Sequence, residues 1–356
     1  MTFISSRLTI AAVVGLLGLL GVLALAPPSH AVVGGSPVSP ATYPWFVPLS
    51  GCGSVLIAPD RLLTAAHCVG RHSIDQLVDA RADKRLPRAV AFAMAPNWRV
   101  RNADNYRDDI AIVRLARPVT DRTLVAVAEG PPTTNLTLLG GGLTTVKAGR
   151  TGDGRGDLRR TKLKPLTDAE CAESYKGHPG NSGERFIAGP MLCATDPNGG
   201  SPFASGCNGD SGGPLFGGGA AAPVIYGVVS WGGDSCGADR RPSVFADVIA
   251  FRDFILAPDP EWAPVPTKPA TIHGKPKVGS TLSCEAGVPA KAEQVTVRWR
   301  SAGRGGIRLL GRGSRYHVRK ADAGRGLFCD LEASGPGGVG RAPMGARSFV
   351  TIARVR

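Results

Sequence analysis

The chain has 356 residues, 43% of them apolar and 20% charged, with 48 Gly and 29 Pro. That balance excludes a disordered chain and a coiled coil, and leaves room for one large or two modest packed domains rich in turns. The net charge of +14 is uneven: residues 268–356 hold 17 basic and 5 acidic side chains, a surplus of +12, while residues 32–257 are near neutral at +3.

In chain order, Arg7 is followed by a 17-residue apolar run from Ile10 to Ala26. It is shorter than a comfortable membrane-spanning helix and is the one long apolar run, which excludes a polytopic membrane protein. Ser29 and Ala31 form an S-x-A cleavage site, and Ala24 and Ala26 form an A-x-A site. Residues 1–31 are therefore read as a signal peptide, or as one ending at 26 followed by a five-residue propeptide, Pro27 to Ala31. A retained anchor is the alternative. Eight Cys in an exported chain argue for disulfides.

Beyond the signal the chain reads as all-β. Val55 to Ile57, Leu62 to Thr64, Ile110 to Leu115, Leu136 to Leu139 and Val224 to Ser230 are short apolar or β-branched runs separated by turn residues. Helical patterns of 10–15 residues are missing between them, which argues against βαβ units. Thr167 to Glu170 is a T-x-x-E capping box before a short helix. Val244 to Leu256 carries apolar residues near helical spacing and predicts a closing helix. The Gly-rich, charged stretch 149–156 predicts an exposed loop.

Three segments carry chemistry: L-T-A-A-H-C at 63–68, D-D-I-A-I-V at 108–113 and C-N-G-D-S-G-G-P at 207–214. Serine is a weak nucleophile until a base takes its proton, and His67 suits that task for Ser211 near neutral pH. Asp109, at the head of an apolar strand, is placed to fix the imidazole tautomer. The glycines around Ser211 permit a tight turn, and the backbone N–H groups of Gly209 and Ser211 are candidates for one oxyanion hole.

The order His67, Asp109, Ser211 resembles the trypsin/chymotrypsin-like serine protease family over residues 32–257, whereas α/β-hydrolases run serine, acid, histidine. The resemblance implies two antiparallel six-stranded β-barrels with a C-terminal helix and the site between the barrels. It implies a serine endopeptidase acting through an acyl-enzyme and needing no cofactor. It pairs Cys52 with Cys68, Cys171 with Cys193 and Cys207 with Cys236. Val32-Val33-Gly34-Gly35 is similar to the family's mature start, so a freed Val32 amine would pair with Asp210. Here signal peptidase itself would make the activating cut, after Ala31. By the motif alignment Ser205 lies at the base of the specificity pocket, where trypsin-like members carry Asp. A preference for Arg or Lys is thus disfavoured. Ser230, Trp231 and Gly232 match the strand that pairs with extended substrate, and Ser243 replaces a usual Gly, narrowing the pocket. The expectation is a medium or large apolar residue before the scissile bond. Gly140-Gly141-Gly142 lacks the family's aromatic at that place, which puts local packing in question.

Residues 258–270 are Pro-rich and read as an extended, semi-rigid linker. Residues 271–356 form a second all-β pattern, with Cys284 and Cys329 on either side of Trp299. This resembles a bacterial Ig-like β-sandwich of secreted actinobacterial proteins, through Val278 to Leu282 and Tyr316 to Gly324. Arg298, Arg300, Arg304, Arg308, Arg312, Arg315, Arg319 and Lys320 make it a candidate binder of anionic cell-wall polymer; a plain spacer is the competing reading. Nucleic acid is disfavoured because no reader motif is present.

No C-x-x-C or H-E-x-x-H motif is present, no metal site is expected, and a surface-loop calcium site, known in some family members, is left open. The whole reads as a secreted, monomeric serine endopeptidase acting on protein or peptide substrates, without a membrane span once the signal is removed. The alternative is a surface-binding protein that uses a weakly active or inactive protease fold as scaffold.

Overall fold

The computed structural model describes residues 32–70, 72–78, 83–98, 106–143, 157–180, 183–303 and 306–353. The signal segment, the loop at 149–156 and Arg304 lie outside the described residues. Among the described residues, no helix is long and apolar enough to cross a membrane.

The elements in chain order are mostly short strands. They begin with β1 (Ser36–Pro37), β2 (Val55–Ala58), β3 (Arg61–Thr64), the one-turn helices α1 (Ala66–Val69) and α2 (Ile74–Leu77), β4 (Ala89–Met94) and β5 (Ala111–Leu115). Then come β6 (Ala126–Val127), β7 (Leu136–Gly140), β8 (Arg159–Pro165), α3 (Asp168–Ser174), β9 (Met191–Thr195), β10 (Pro214–Gly217), β11 (Val224–Trp231), β12 (Ser243–Asp247) and α4 (Arg252–Leu256). α3 starts on the Thr167–Glu170 capping box, in which each partner satisfies a backbone N–H of the other.

In the second half of this region six strands run β8-β7-β10-β11-β12-β9, and the β8–β9 pairing closes them into a barrel. The first half departs from expectation. Among the described residues it is a four-stranded sheet, β2-β3-β5-β4, extended by isolated bridges Phe46↔Val55 and Leu49↔Cys52. The Tyr43–Ser50 stretch runs alongside β2, with Leu56 N–H donating to Trp45 O and Val47 N–H to Ser54 O, both at 2.9 Å. The free edge of β4 is covered from elsewhere: Ala263 N–H donates to Phe92 O at 2.8 Å, and Met94 N–H donates to Gly337 O at 2.9 Å.

The predicted helix over Val244 to Leu256 is corrected. Val244, Phe245 and Ala246 belong to β12, paired on one side to β11 and on the other to β9, and only Arg252–Leu256 is helical. A strand buried on both faces reads as a continuous apolar run, which local periodicity does not separate from a helix.

Residues 271–351 build two further sheets from β13 (Thr271–His273), β14 (Thr281–Glu285), β15 (Gln294–Gly303), β16 (Gly306–Arg312), β17 (Arg315–His317), β18 (Gly326–Gly335), β19 (Gly338–Arg341) and β20 (Phe349–Thr351). One sheet is β13-β14-β17; the other is β16-β15-β18-β19 with β20 also on β18. Both contribute to one core around fully buried Trp299, which stacks on Tyr316, and the Cys284–Cys329 disulfide joins β14 to β18. All four disulfides pair as expected, Cys52–Cys68, Cys171–Cys193 and Cys207–Cys236 being the others.

The Pro-rich stretch 258–270 has neither helix nor strand, yet it is packed. Ala263 is buried within the core of the first sheet, with Val265 against it, and the Arg114 guanidinium lies 4.7 Å over the Trp262 ring.

Candidate active site

The site assembles at the ends of buried strands. β3 ends at buried Thr64, whose hydroxyl donates to Gly53 O at 2.8 Å. The chain then turns into α1, all four of whose residues are buried, so the His67 ring has little freedom. Asp109 lies just ahead of β5 and is fully buried. Its Oδ1 accepts the His67 backbone N–H at 2.8 Å, and its Oδ2 accepts from His67 Nδ1 at 2.7 Å. Oδ2 also accepts the Ser230 hydroxyl at 2.6 Å, from the end of β11. A buried carboxylate is costly unless its lone pairs are filled, and here three donors fill them. Because the ionised carboxylate only accepts, Nδ1 must carry the proton, which leaves Nε2 as the basic nitrogen.

Ser211 sits on the turn between β9 and β10. Asp210 N–H donates to Cys207 O and Gly213 N–H to Asp210 O, both at 2.9 Å, while Gly53 N–H holds Ser211 O at 2.8 Å. Gly209 (φ +94°) and Gly212 (φ +76°) occupy backbone space that other residues rarely adopt, and a Cβ on Gly212 would lie 2.3 Å from the Thr64 hydroxyl oxygen. The amides of Gly209 and Ser211 flank Asp210 on this turn.

Asp210 points the other way, into the barrel wall, and is completely buried. It accepts the N–H groups of Gly142 at 2.8 Å and Cys207 at 2.9 Å, and that of Val32. Burial nevertheless pushes its carboxyl from the ordinary 3.8 up to about 7, against the lowering effect of these three bonds. The triple glycine therefore has a local reason: a Cβ on Gly140 would lie 2.1 Å from Asp210 Oδ1, and one on Gly142 2.5 Å from Asp210 N. Val32 is itself fully buried beside it.

His67 and Ser211 line one cleft of ≈260 Å³, with Ser230, Trp231, Gly232 and Ser243 on its walls. The Ser243 hydroxyl is tied down by accepting the Gly206 N–H at 2.9 Å. Ser205 lies deeper and does not line the cleft. It pairs with Val33 through backbone bonds, and its buried Oγ has no hydrogen-bond partner among the described residues. Six wall residues escaped the sequence reading: Tyr106, Glu184, Gly206, Asn208, Val229 and Gly233. Gly206 and Asn208 flank Cys207 in the serine motif and were within reach of it. Tyr106, whose ring lies 5.6 Å from that of His67, and buried Glu184 come from irregular segments with no local signal. Cys52, His67 and Cys68 also cluster, but both sulfurs are spent in a disulfide, which removes them as metal ligands.

Comparison with known proteins points to one family. The family model described as Trypsin matches residues 32–255. A trypsin-like protease of Streptomyces glaucescens is 32% identical over 243 residues, 65% of this chain and 86% of the relative. Mouse kallikrein-11 is 31% identical, with 63% of this chain and 80% of the relative covered. Among solved structures, neuropsin, a serine protease expressed in the limbic system of mouse brain, is 25% identical, with a TM-score of 0.48 over 63% of this chain and 97% of that one. With the family model matching more than half its length, this chain belongs to the trypsin family and is a serine endopeptidase.

Proposed function

We propose that this endopeptidase works through His67, Asp109 and Ser211 and is exported. The carrying observation is that Asp109 holds the Nδ1 side of His67 while His67 and Ser211 share one cleft. In this reading the Ser211 hydroxyl attacks the scissile carbonyl and passes its proton to His67 Nε2. The carbonyl oxygen is held by the Gly209 and Ser211 amides, and the amine leaves with the proton from His67. Water then attacks the acyl-serine with His67 as base. Asp109 stays ionised throughout, orienting the imidazole and stabilising its charged form.

Two features support an apolar residue before the scissile bond. Ser243, which lines the cleft, is neutral, and its hydroxyl is fixed against the Gly206 backbone, which trims the pocket. The activation reading has support of the same kind. The Val32 N–H already reaches the buried Asp210, so a freed α-ammonium at Val32 would bring a cation to a carboxylate that burial alone disfavours. Four disulfides favour an oxidising compartment, in keeping with export.

The C-terminal region is read as an Ig-like sandwich on the strength of its two sheets and their Cys284–Cys329 bridge across Trp299. Of the cations proposed to meet anionic polymer, Arg298 is paired with Glu332, and Arg300 with Asp330 at 3.1 Å. Binding therefore rests on the exposed Arg308, Arg312, Arg315, Arg319 and Lys320.

The test is a diverse peptide library digested by the secreted protein beside Ser211→Ala, with cut sites read by mass spectrometry. Cuts after Leu, Met, Phe or Tyr, absent from the variant, are expected. Cuts after Arg or Lys would overturn the pocket reading, and undiminished cutting by Ser211→Ala would overturn the triad.

A further inference from the structure

The C-terminal region meets the catalytic half at the end of the histidine helix. Gly70 directly follows α1, and its carbonyl oxygen accepts the Arg341 Nε–H at 2.7 Å, across 271 positions of chain. The same guanidinium is held on its own side by Glu332 Oε1 at 2.6 Å, with Asp330 Oδ2 at 4.0 Å. Arg341 thus links a carboxylate cluster on β18 to the helix that carries His67, three residues from Gly70.

The surroundings are built for this contact. Met94, the last residue of β4, donates to Gly337 O, and its side chain lies between Gly70 and Gly338. A Cβ on Gly338 would lie 2.7 Å from Met94 Sδ, and one on Gly337 would lie 2.0 Å from Glu261 O. Glycine at these positions lets the β18–β19 turn seat directly on residues 261–265, which themselves cover β4. The Arg61 guanidinium donates to Ala257 O at 2.5 Å and to Pro258 O, so the segment 258–270 is held at its start as well.

We infer that residues 258–356 are a fixed brace of the catalytic half, with Arg341 a positioning residue that acts on catalysis through the His67 helix. The inference rests on the reading of His67 as the general base. A freely hinged adapter would leave the chemistry unchanged whatever happened at the contact; a brace would not. Arg341 touches no reacting atom. Its contribution is to keep the end of α1, and so the imidazole, in register with Ser211.

The test uses the full chain with Arg341→Gln and Arg341→Lys, and a four-residue anilide built on a sequence the wild type cuts. Turnover is expressed per site titrated by a sulfonyl fluoride, so an unfolded fraction drops out. Arg341→Gln is expected to lower kcat by about tenfold with KM within about twofold, as for lost orientation rather than lost binding. Arg341→Lys, which retains a charged donor, is expected to recover most of it. Should Arg341→Gln give no titratable sites, Gly338→Val carries the same expectation, since it pushes on Met94 while leaving Arg341 intact. Wild-type kcat per site in the variant measured would overturn the inference, as would a loss confined to KM. Wild-type kcat per site in His67→Ala would instead defeat the general-base reading beneath it.

Discussion

Ser230 shows how a side chain chosen for one reason acts for another. Its place in Ser230-Trp231-Gly232 marked it as a pocket residue; it lines the cleft shared by His67 and Ser211, but its hydroxyl is spent on Asp109 at 2.6 Å. Ser230→Ala removes one of three donors to a buried carboxylate, and hydrogen bonds to charged groups contribute about 1.5–3 kcal/mol each. We expect kcat on a peptide anilide to fall about tenfold with KM little changed. An unchanged kcat would show that the two His67 bonds suffice. Gly142 sets a stricter limit, because its N–H feeds Asp210 Oδ1 and a Cβ there meets the Asp210 backbone at 2.5 Å. Gly142→Ala is expected to abolish sulfonyl fluoride labelling of Ser211 in protein whose circular dichroism remains native-like.

The turn from Cys207 to Gly213 is the element on which the proposed activation depends, and its buried Asp210 gives it a pH signature. In a chain still carrying the residues before Val32, burial raises this carboxyl from 3.8 to about 7. The fold therefore favours the neutral acid. Its stability is fully present below pH 3.8 and declines as pH rises towards about 7, at up to about 1.4 kcal/mol per unit. Protein expressed without export, and so uncleaved, should show a denaturation midpoint that falls over this window; a midpoint that rises would contradict the assignment. Cleaved protein beginning at Val32 should lose less, because the new ammonium favours the carboxylate. β12 carries a different lesson at this scale. Val244 to Asp247 holds a helical-looking pattern, but burial between β11 and β9 satisfies the same residues as a strand.

Across the whole molecule, the segment from 258 to 270 decides how the parts relate. Its prolines keep it extended, yet Ala263 enters the core beside β4 and its N–H caps Phe92 O. Ala263→Asp places an unpaired carboxylate in that core, a change that costs several kcal/mol. The melting temperature is expected to fall by at least about 5 °C, given about 2–4 °C per kcal/mol at this size. A hanging linker would show no change. The β4 edge of the first sheet takes its backbone partners from Ala263 and Gly337.

The sequence by itself carried the motifs: the serine, histidine and aspartate segments and their chain order, and through the family they resemble, the cysteine pairing later found in the fold. Those signals are local motifs, in which the residues that make a tight turn or flank a histidine are neighbours in the chain. Only the tertiary structure decided what meets across distance. Ser230 reaches Asp109 over 121 positions, Arg341 reaches Gly70 over 271, and Tyr106 and Glu184 enter the cleft from irregular segments. Such contacts depend on how sheets stack and which edges remain uncovered. Spacing along the chain carries no record of that, because packing couples residues through shared volume rather than through sequence separation.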